Sequence, residues 1–250
     1  MLDEKIPIAN PKPSPGVHNT RYKNPTIKPA WYKARQRTIT RAQKRVEREL
    51  WPKFGLEYAY NARLDLDGAF GRTAPTILEI GCGNGEAIVA LAAAQPECNF
   101  VGVDWFRSGL AVCLGSLEER GLTNVRLIRS DAANLLERGL PDDTPMFDEV
   151  KVFFPDPWYG SPERRVIRPD VVQQLSRRMR HSSVLHVATD VACYPEHVRQ
   201  VFASPQAAGG QWEPIEVDDH QRPSTRYERE GIAAGRPVED LHFAFRGRLL

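Results

Sequence analysis

Acidic side chains accompany a glycine-rich turn in the first half of the chain. Residues 76–85 read TILEIGCGNG, in which Glu79 precedes the glycines Gly81, Gly83 and Gly85. Glycines let the chain turn tightly and let a ligand lie directly against the backbone. Because a carboxylate repels anions and attracts cations, this turn favours a positively charged ligand over a phosphate.

The spacing of these glycines differs from that of two phosphate-binding motifs. The dinucleotide-binding motif has glycines at offsets 0, 2 and 5, whereas the offsets here are 0, 2 and 4, with Glu86 in the last position. A P-loop has a lysine followed by serine or threonine, and no such pair follows Gly85. S-adenosylmethionine suits the turn better, because it carries a sulfonium and an ammonium group and no phosphate.

Two aspartates follow the next two strand-like segments. Asp104 ends NFVGVD, 23 residues after Gly81, where a carboxylate could accept hydrogen bonds from both ribose hydroxyls of that cofactor. Asp131 ends RLIRSD, where its side chain or the neighbouring backbone could contact the adenine amino group. Either aspartate alone could instead be a helix N-cap. Their order after Glu79 and the glycines, each at a strand end, predicts an S-adenosylmethionine site.

A second acidic turn follows the fourth predicted strand, where residues 151–160 read KVFFPDPWYG. Pro155 and Pro157 fix the backbone φ angle on both sides of Asp156 and stiffen the turn. Asp156 could hold a planar acceptor that bears amino groups, and Trp158 offers a π-face that can stack on a base. Since this strand end should face the transferable methyl group, we predict that Asp156 is catalytic and also contacts the cofactor. A plain Asx turn beside a core tryptophan is the structural alternative.

Alternating strand-like and helix-like segments position these residues. Apolar or β-branched runs occur at 76–80, 99–104, 124–131, 147–156, 182–190, 211–217 and 240–249. Strands that are apolar on both faces and alternate with helices indicate a parallel, doubly wound sheet. The pattern resembles that of class I methyltransferases and predicts an α/β fold, Rossmann-like, with a mostly parallel seven-stranded sheet and helices on both faces. We assign residues 71–250 to this domain.

The N-terminal segment carries most of the positive charge. Residues 1–53 hold 13 Lys and Arg against 4 Asp and Glu, whereas the rest of the chain has a net charge of −7. Residues 1–34 are predicted to form a flexible, proline-rich arm. Residues 35–70 are predicted to form a basic helix, ending near Trp51–Pro52, and a connector that packs on the catalytic domain. This asymmetry favours an anionic partner such as nucleic acid, although a solvated tail explains the charge equally well.

Composition limits the class of protein. No apolar run of the chain reaches the roughly 18 to 20 residues that span a bilayer, and the N-terminus lacks an apolar signal segment. The cysteines form no CxxC pair, which argues against a zinc site or a disulfide framework; they are Cys82, Cys98, Cys113 and Cys193. We therefore expect buried free thiols, no metal and no membrane contact in a cytoplasmic protein that is a monomer or a homodimer.

Several segments together resemble the tRNA (guanine-N7)-methyltransferase family. They are RTITRAQKRVERELWPKFG at 37–55, FFPDPW at 153–158, VATDV ending the fifth predicted strand, and RPSTRYEREG at 222–231. The resemblance runs from about residue 35 to residue 249, and its most specific pieces are Pro-Asp-Pro-Trp and Thr225-x-x-Glu228 followed by Gly231.

The resemblance implies a role for each matching residue. It implies cofactor contacts by Glu79, Asp104 and Asp131, a place at the methyl-transfer centre for Asp156, and guanosine contacts by Asp190, Thr225 and Glu228. The implied reaction is methylation of guanine N7 in tRNA, at position 46 in the variable loop. Guanine fits such a pocket because carboxylates can accept hydrogen bonds from its N1–H and N2–H₂ groups.

The chain departs from this family after Trp158. Family members usually continue with a stretch rich in Lys, Arg and His, whereas YGSPERRVIRP here is shorter and places Gly160 where a substrate-contacting lysine would fall. Lost phosphate contacts would weaken RNA binding and flatten its salt dependence. Two alternative functions stay open: methylation of another nucleobase or a protein amino group through a related turn, and tRNA binding with weak turnover.

Overall fold

An eight-stranded sheet forms the centre of the protein, for which the computed structural model describes residues 39–57, 64–142, 144–205, 211–217 and 222–247. The predicted arm, residues 1–34, lies outside the described residues. The strands are β1 Gly55–Leu56, β2 Thr76–Ile80, β3 Asn99–Asp104, β4 Val125–Arg129, β5 Phe147–Phe153, β6 Met179–Thr189, β7 Trp212–Ile215 and β8 Glu239–Phe245.

Helices connect most of these strands. They are α1 Arg41–Phe54, α2 Leu66–Phe70, α3 Glu86–Ala94, α4 Arg107–Glu119, α5 Ala132–Asn134, α6 Pro169–Ser176, α7 Tyr194–Ala203 and α8 Arg226–Ala233. A π-helical turn, Leu135–Gly139, continues α5, and a 3₁₀ turn covers Pro162–Arg164.

The strand order β1-β4-β3-β2-β5-β6-β8-β7 reverses direction beside β2. All pairings from β1 to β6 are parallel, and only β8 runs antiparallel to its two neighbours. The predicted α/β, doubly wound, Rossmann-like fold is confirmed, but the sheet has eight strands and not seven. The additional strand is the two-residue β1, which is too short to leave a periodic signal in the sequence. Ligands of such sheets bind beyond the carboxyl ends of the strands, next to the reversal point.

Alternate residues of β2 enter different cores. Leu78 and Ile80 belong to the cluster beneath α6 and α7, whereas Ile77 packs into the cluster beneath α1, α3 and α4. Every residue of β2 and of β3 is buried, as expected for central strands that helices cover on both faces. Glu79 therefore lies on the face of the sheet that Ile77 shares.

The basic helix α1 begins at Arg41 and ends at Phe54, two residues beyond Pro52, near which it was predicted to end. Pro52 lies inside its last turn and does not end it, because Phe54 is almost fully buried in the core and holds that turn in place. The N-terminal half of α1 packs on the start of α4, where Gln43 donates to the Ser108 carbonyl at 3.3 Å and Arg107 pairs with Glu47 at 2.6 Å. Since α4 follows β3, α1 reaches the edge of the sheet where the parallel strands end.

Other sequence-based expectations meet mixed outcomes. Within the described ranges, no helix has the length and apolar character needed to cross a membrane. All four cysteines are free, but the expectation of buried thiols was wrong for two of them. Cys98 is partly exposed and Cys193 is exposed, because Cys98 directly precedes β3 and Cys193 directly precedes α7, so that neither lies inside a strand or helix.

Candidate active site

The glycine-rich turn leaves β2 in a backbone conformation that side chains rarely adopt. The φ angles are +80° at Gly81, +53° at Gly83 and +83° at Gly85, all in the left-handed region. A Cβ atom on Gly85 would lie 2.3 Å from the Cys113 sulfur of α4, so this glycine also permits close packing. A Cβ atom on Gly81 would meet no protein atom within 4 Å, which leaves open space beside that part of the turn.

Asp104 holds this turn against the end of β3. Its Oδ2 accepts a hydrogen bond from the Gly83 N–H at 2.8 Å, and its Oδ1 accepts one from the Phe106 N–H at 2.6 Å. Burial raises the pKa of Asp104, these backbone hydrogen bonds lower it in part, and the nearby charge of Asp156 raises it further. Carboxylate oxygens have further lone pairs, so the predicted contact with ribose hydroxyls stays compatible with this arrangement.

Asp131 lies at the end of β4 and caps the next helix. Its Oδ1 accepts a hydrogen bond from the Asn134 N–H at 3.1 Å, and its side chain is only partly buried. The N-cap alternative is thus present in the structure, and a contact with adenine stays a prediction. The adjacent Ser130 N–H donates to the Asp104 carbonyl at 3.1 Å, which joins the ends of β3 and β4.

Glu79 is a buried carboxyl group whose hydrogen-bonding capacity is incompletely used. Glu79 is 4% exposed to solvent, and its Oε2 atom has no hydrogen-bond partner among the described residues. Burial raises the pKa of Glu79 to about 8, against a lowering effect of Lys151. A buried, unsatisfied carboxyl oxygen is costly unless a donor or cation meets it. The ammonium group of S-adenosylmethionine would supply both, so the residues present fit this cofactor.

The Pro-Asp-Pro-Trp turn begins as β5 ends. Phe154 and Trp158 have positive φ angles of 51° and 42°, which make the turn sharp. Two contacts fix its flanks: the Phe154 N–H donates to the Ala188 carbonyl at 2.8 Å, and Arg165 Nε donates to the Pro157 carbonyl at 2.7 Å. Between these anchors the Asp156 side chain is exposed, and among the described residues it makes no hydrogen bond. An unengaged carboxylate on a rigid turn is available to a ligand.

The indole of Trp158 already has one stacking partner. The Arg164 guanidinium lies 4.8 Å from the centre of the Trp158 ring, and the Ser161 N–H donates to the Trp158 carbonyl at 2.9 Å. Trp158 is half-buried and therefore is not the core tryptophan of the structural alternative. Gly160 is exposed, and a Cβ atom there would meet nothing within 4 Å.

The predicted guanosine-binding residues lie where β6 ends and α8 begins. Asp190 accepts a hydrogen bond from Arg236 at 2.8 Å, and a Cβ atom on Gly231 would lie 2.7 Å from its Oδ2. The glycine thus lets α8 pack directly on Asp190. At the start of α8 the Thr225 hydroxyl accepts a hydrogen bond from the Glu228 N–H at 3.3 Å, so Thr225 is the N-cap of this helix.

Glu86 joins the glycine-rich turn to the start of α8. Glu86, which directly follows the glycine turn, accepts a hydrogen bond from the Arg226 N–H at 2.5 Å and pairs with Arg229 at 3.3 Å. Both partners belong to α8, so the cofactor-side turn and the segment with Thr225 and Glu228 lie side by side. No pattern in the sequence indicates this role of Glu86.

Four of the predicted carboxyl groups belong to neighbouring strands. Asp104, Glu79, Asp156 and Asp190 lie at or just beyond the carboxyl ends of β3, β2, β5 and β6, which are consecutive in the sheet. The structure therefore brings these residues to one edge, as the sequence predicted. Their individual roles stay predictions.

Sequence reasoning missed a buried polar network beneath this edge. Arg222 bonds to Glu228 and Asp240, and Asp240 bonds to His186. Lys151 lies between Glu79 and His186 in the register of the sheet. The signal that could have indicated the network is the presence of charged residues inside otherwise apolar strands, in VKVFF, VLHVA and EDLHF.

Comparison with known proteins finds similar sequences over most of the chain. A family model described as "Putative methyltransferase" matches residues 73–241. A tRNA (guanine-N(7)-)-methyltransferase of Leifsonia xyli subsp. xyli is 40% identical, over 88% of this chain and 96% of the relative. One of Halorhodospira halophila is 38% identical, over 85% of this chain and 93% of the relative.

Solved structures support the fold. A variant of the 16S rRNA (adenine(1408)-N(1))-methyltransferase from Catenulisporales acidiphilia, solved with cosubstrate SAM, superposes with a TM-score of 0.53 at 19% identity, over 74% of this chain and 92% of that one. The antibiotic-resistance methyltransferase Kmr gives a TM-score of 0.53 at 19% identity, over 78% and 96%. From the extent and identity of the sequence matches, the chain belongs to the tRNA (guanine-N(7)-)-methyltransferase family, whose members are S-adenosylmethionine-dependent methyltransferases.

Proposed function

We propose that this protein transfers a methyl group from S-adenosylmethionine to N7 of a guanine in the variable loop of tRNA. The observation that carries the proposal is the row of carboxyl groups at the ends of four adjacent strands, in a chain of this family. Such a row can hold a cationic methyl donor beside a purine and stabilise a cationic product.

The cofactor half of the site comprises the glycine turn and three acidic residues. Glu79 offers a buried, unsatisfied oxygen for an ammonium group, and Asp104 lies where ribose hydroxyls would reach its remaining lone pairs. Asp131 follows β4 beside Asp104, on the side where adenine would lie. When bound, S-adenosylmethionine supplies an electrophilic methyl group, whose bond to sulfur breaks as guanine N7 donates its lone pair, with the electron pair passing to sulfur.

The acceptor half presents carboxylates that match the donors of guanine. Asp190 and Glu228 can accept hydrogen bonds from N1–H and N2–H₂, and the exposed Asp156 lies between this half and Asp104 in the strand order. The half-buried Trp158 can stack on the base. Guanine N7 already has a free lone pair, so the protein needs to position it and not to deprotonate it.

The charge of the site favours the product. Methylation of N7 makes the base cationic, and the Asp156 carboxylate lies on a turn that neighbouring contacts hold rigidly. A preorganised negative charge near a developing positive charge lowers the barrier without further rearrangement. We therefore assign Asp156 to electrostatic stabilisation and positioning of the methyl-transfer centre.

The basic helix α1 is suited to contact the RNA backbone. Its outward residues Arg41, Lys44, Arg45 and Arg48 are exposed, and the start of α1 lies against the start of α4, next to Asp104. When a guanine of tRNA occupies the site, these positive side chains can pair with neighbouring phosphates of the same RNA. A cytoplasmic location, expected from the sequence, agrees with such a substrate.

The test is identification of the methylated nucleoside. Purified protein is incubated with S-adenosylmethionine carrying a tritiated methyl group and with tRNA from cells that lack 7-methylguanosine, and the RNA is digested and separated by chromatography. We expect 7-methylguanosine, mapped to the variable loop by sequencing of the product. Labelled 6-methyladenosine would support the alternative nucleobase, and tRNA binding without labelled product would support a homologue that has lost turnover.

A further inference from the structure

Arg222 lies at the centre of the buried polar network beneath the proposed acceptor site. Its Nε donates to Asp240 Oδ1 at 2.9 Å and its Nη2 donates to Asp240 Oδ2 at 3.2 Å, which is a bidentate pair with β8. The same Nη2 donates to Glu228 Oε1 at 2.6 Å, on α8. The side chain of Arg222 is 6% exposed, so these bonds form largely out of water.

Arg222 also contacts the end of β5, from which the turn with Asp156 continues. Its guanidinium lies 5.4 Å from the centre of the Phe154 ring and 6.0 Å from that of Phe153, at cation–π distances. Phe154 has a φ angle of +51° and directly precedes the Pro-Asp-Pro-Trp turn. The Arg222 side chain therefore contacts both Phe154, which precedes the turn with Asp156, and the carboxylate of Glu228.

Among the described residues, Arg222 is the positively charged side chain that pairs with Glu228. Within the described part of the chain, the Glu228 carboxylate bonds to Arg222 and to the Ser224 side chain, and its backbone N–H bonds to Thr225. The other arginines of this helix are engaged elsewhere, since Arg226 pairs with Glu230 at 2.8 Å and Arg229 with Glu86. Burial alone would raise the pKa of Glu228, but Arg222, together with hydrogen bonds from Ser224 and Thr225, holds the pKa below its usual value.

The far side of Arg222 is also charged. Asp240 Oδ1 bonds to His186 Nε2 at 2.6 Å, and Lys151 is the register neighbour of His186 on β5. The buried carboxylate of Asp240 and the partly buried carboxylate of Glu228 thus share one guanidinium. Removing that guanidinium would leave both without their cation in a poorly solvated place.

We infer that Arg222 is a positioning residue for methyl transfer: it fixes Glu228 as an oriented, ionised acceptor of guanine hydrogen bonds and links it to the turn that carries Asp156. This inference rests on the proposed function, because Glu228 has this task only if guanine is the acceptor. It assigns to Arg222 a task apart from contact with substrate or cofactor.

The variants Arg222→Gln and Arg222→Lys test this assignment. Each is assayed for kcat and KM with tRNA from pH 6 to pH 9, and for S-adenosylmethionine binding by calorimetry. We expect kcat/KM for tRNA to fall at least about tenfold in Arg222→Gln, since small displacements of binding groups have large effects on rate. Cofactor affinity should not change, and Arg222→Lys should recover part of the loss because it keeps the positive charge.

The pH profile separates positioning from a merely structural role. With the guanidinium absent, only the hydrogen bonds from Ser224 and Thr225 oppose the effect of burial, so the pKa of Glu228 rises. The kcat/KM of Arg222→Gln should therefore decline more steeply than that of the unaltered protein as the pH is lowered. Adding Glu228→Gln to Arg222→Gln should abolish the additional decline and leave the slope of the unaltered protein. Arg246→Gln, which removes an exposed ion pair with Glu213 of 2.8 Å, is the matched control and should behave as the unaltered protein.

The outcomes are distinguishable. A pH profile of Arg222→Gln that matches that of the unaltered protein, with unchanged KM and kcat, overturns the inference. An equal loss of tRNA turnover and cofactor affinity also overturns it, because it would indicate general damage. If Arg222→Gln does not fold, the variants Arg222→Lys and Glu228→Gln decide. Arg222→Lys keeps a cation at this position, and Glu228→Gln keeps Arg222 as the partner of Asp240. Failure of the unaltered protein to form 7-methylguanosine would instead refute the proposed function.

Discussion

Replacement of Gly81 by alanine tests the cofactor turn most directly. Gly81 has a φ angle of +80° and open space where a Cβ atom would be. An L-residue in the left-handed region costs roughly 1–2 kcal/mol. For a domain of this size, that lowers the melting temperature by about 2–4 °C per kcal/mol.

A glycine distant from the site provides the matched control. Gly71, which ends α2, has a φ angle of +65° and likewise nothing within 4 Å of a Cβ atom. Gly71→Ala should therefore carry the same backbone strain and the same loss of melting temperature. Only a ligand lying against the turn would distinguish the two variants.

The assay is cofactor affinity measured beside thermal stability. Isothermal calorimetry should show S-adenosylmethionine binding at least about tenfold weaker, or about 1.4 kcal/mol, in Gly81→Ala and unchanged in Gly71→Ala. Equal affinities in both variants would refute the placement of the cofactor on this turn. A loss in both would mean that backbone strain, and not contact with the ligand, reduces binding.

Three further results are expected. Asp156→Ala should lower the rate of methyl transfer at least about a hundredfold, because the variant lacks the negative charge beside the methyl-transfer centre. The melting temperature should not change, because Asp156 is exposed and makes no hydrogen bond with the described residues. Near-normal turnover, or an equal loss in the exposed control Asp67→Ala, would remove Asp156 from the mechanism. Glu79 keeps its proton in the folded protein between pH 4.5 and about 8, whereas the unfolded chain has lost it there. The free energy of unfolding of the ligand-free protein should therefore decrease as the pH rises through that range. Glu79→Gln should remove that part of the slope in thermal melts, and an unchanged slope would contradict the raised pKa. Gly160→Lys should tighten tRNA binding and steepen its salt dependence by about 0.7–0.9 in the logarithmic slope, whereas Gly115→Lys on α4, also with open space, should do neither.

The cofactor half of the site could be predicted because its signals are local. Glu79, Gly81 and Asp104 each lie at the end of a strand whose apolar run is visible in the sequence, and β2 and β3 have the predicted bounds. Parallel strands in an α/β fold end at the same edge, so neighbouring strand ends imply proximity.

The network around Arg222 could not be predicted because it depends on register. Arg222, Asp240 and His186 are separated by long stretches of chain, and they meet only because β8 runs antiparallel to β6 with Asp240 opposite Ala188. A shift of one residue would turn Asp240 to the other face of the sheet. His186 lies in the apolar run of β6 and is buried, but the sequence alone does not identify Asp240 as its partner.

The short strand β1 gives the basic helix a second importance. β1 pairs with β4 and occupies the outer edge of the sheet, and Phe54, directly before it, fills part of the core. Truncation of the chain at residue 71 would uncover the hydrogen-bonding edge of β4 and an apolar depression, and bare strand edges recruit other chains. Attempts to isolate the catalytic domain from its basic helix should therefore yield aggregates and not a minimal enzyme.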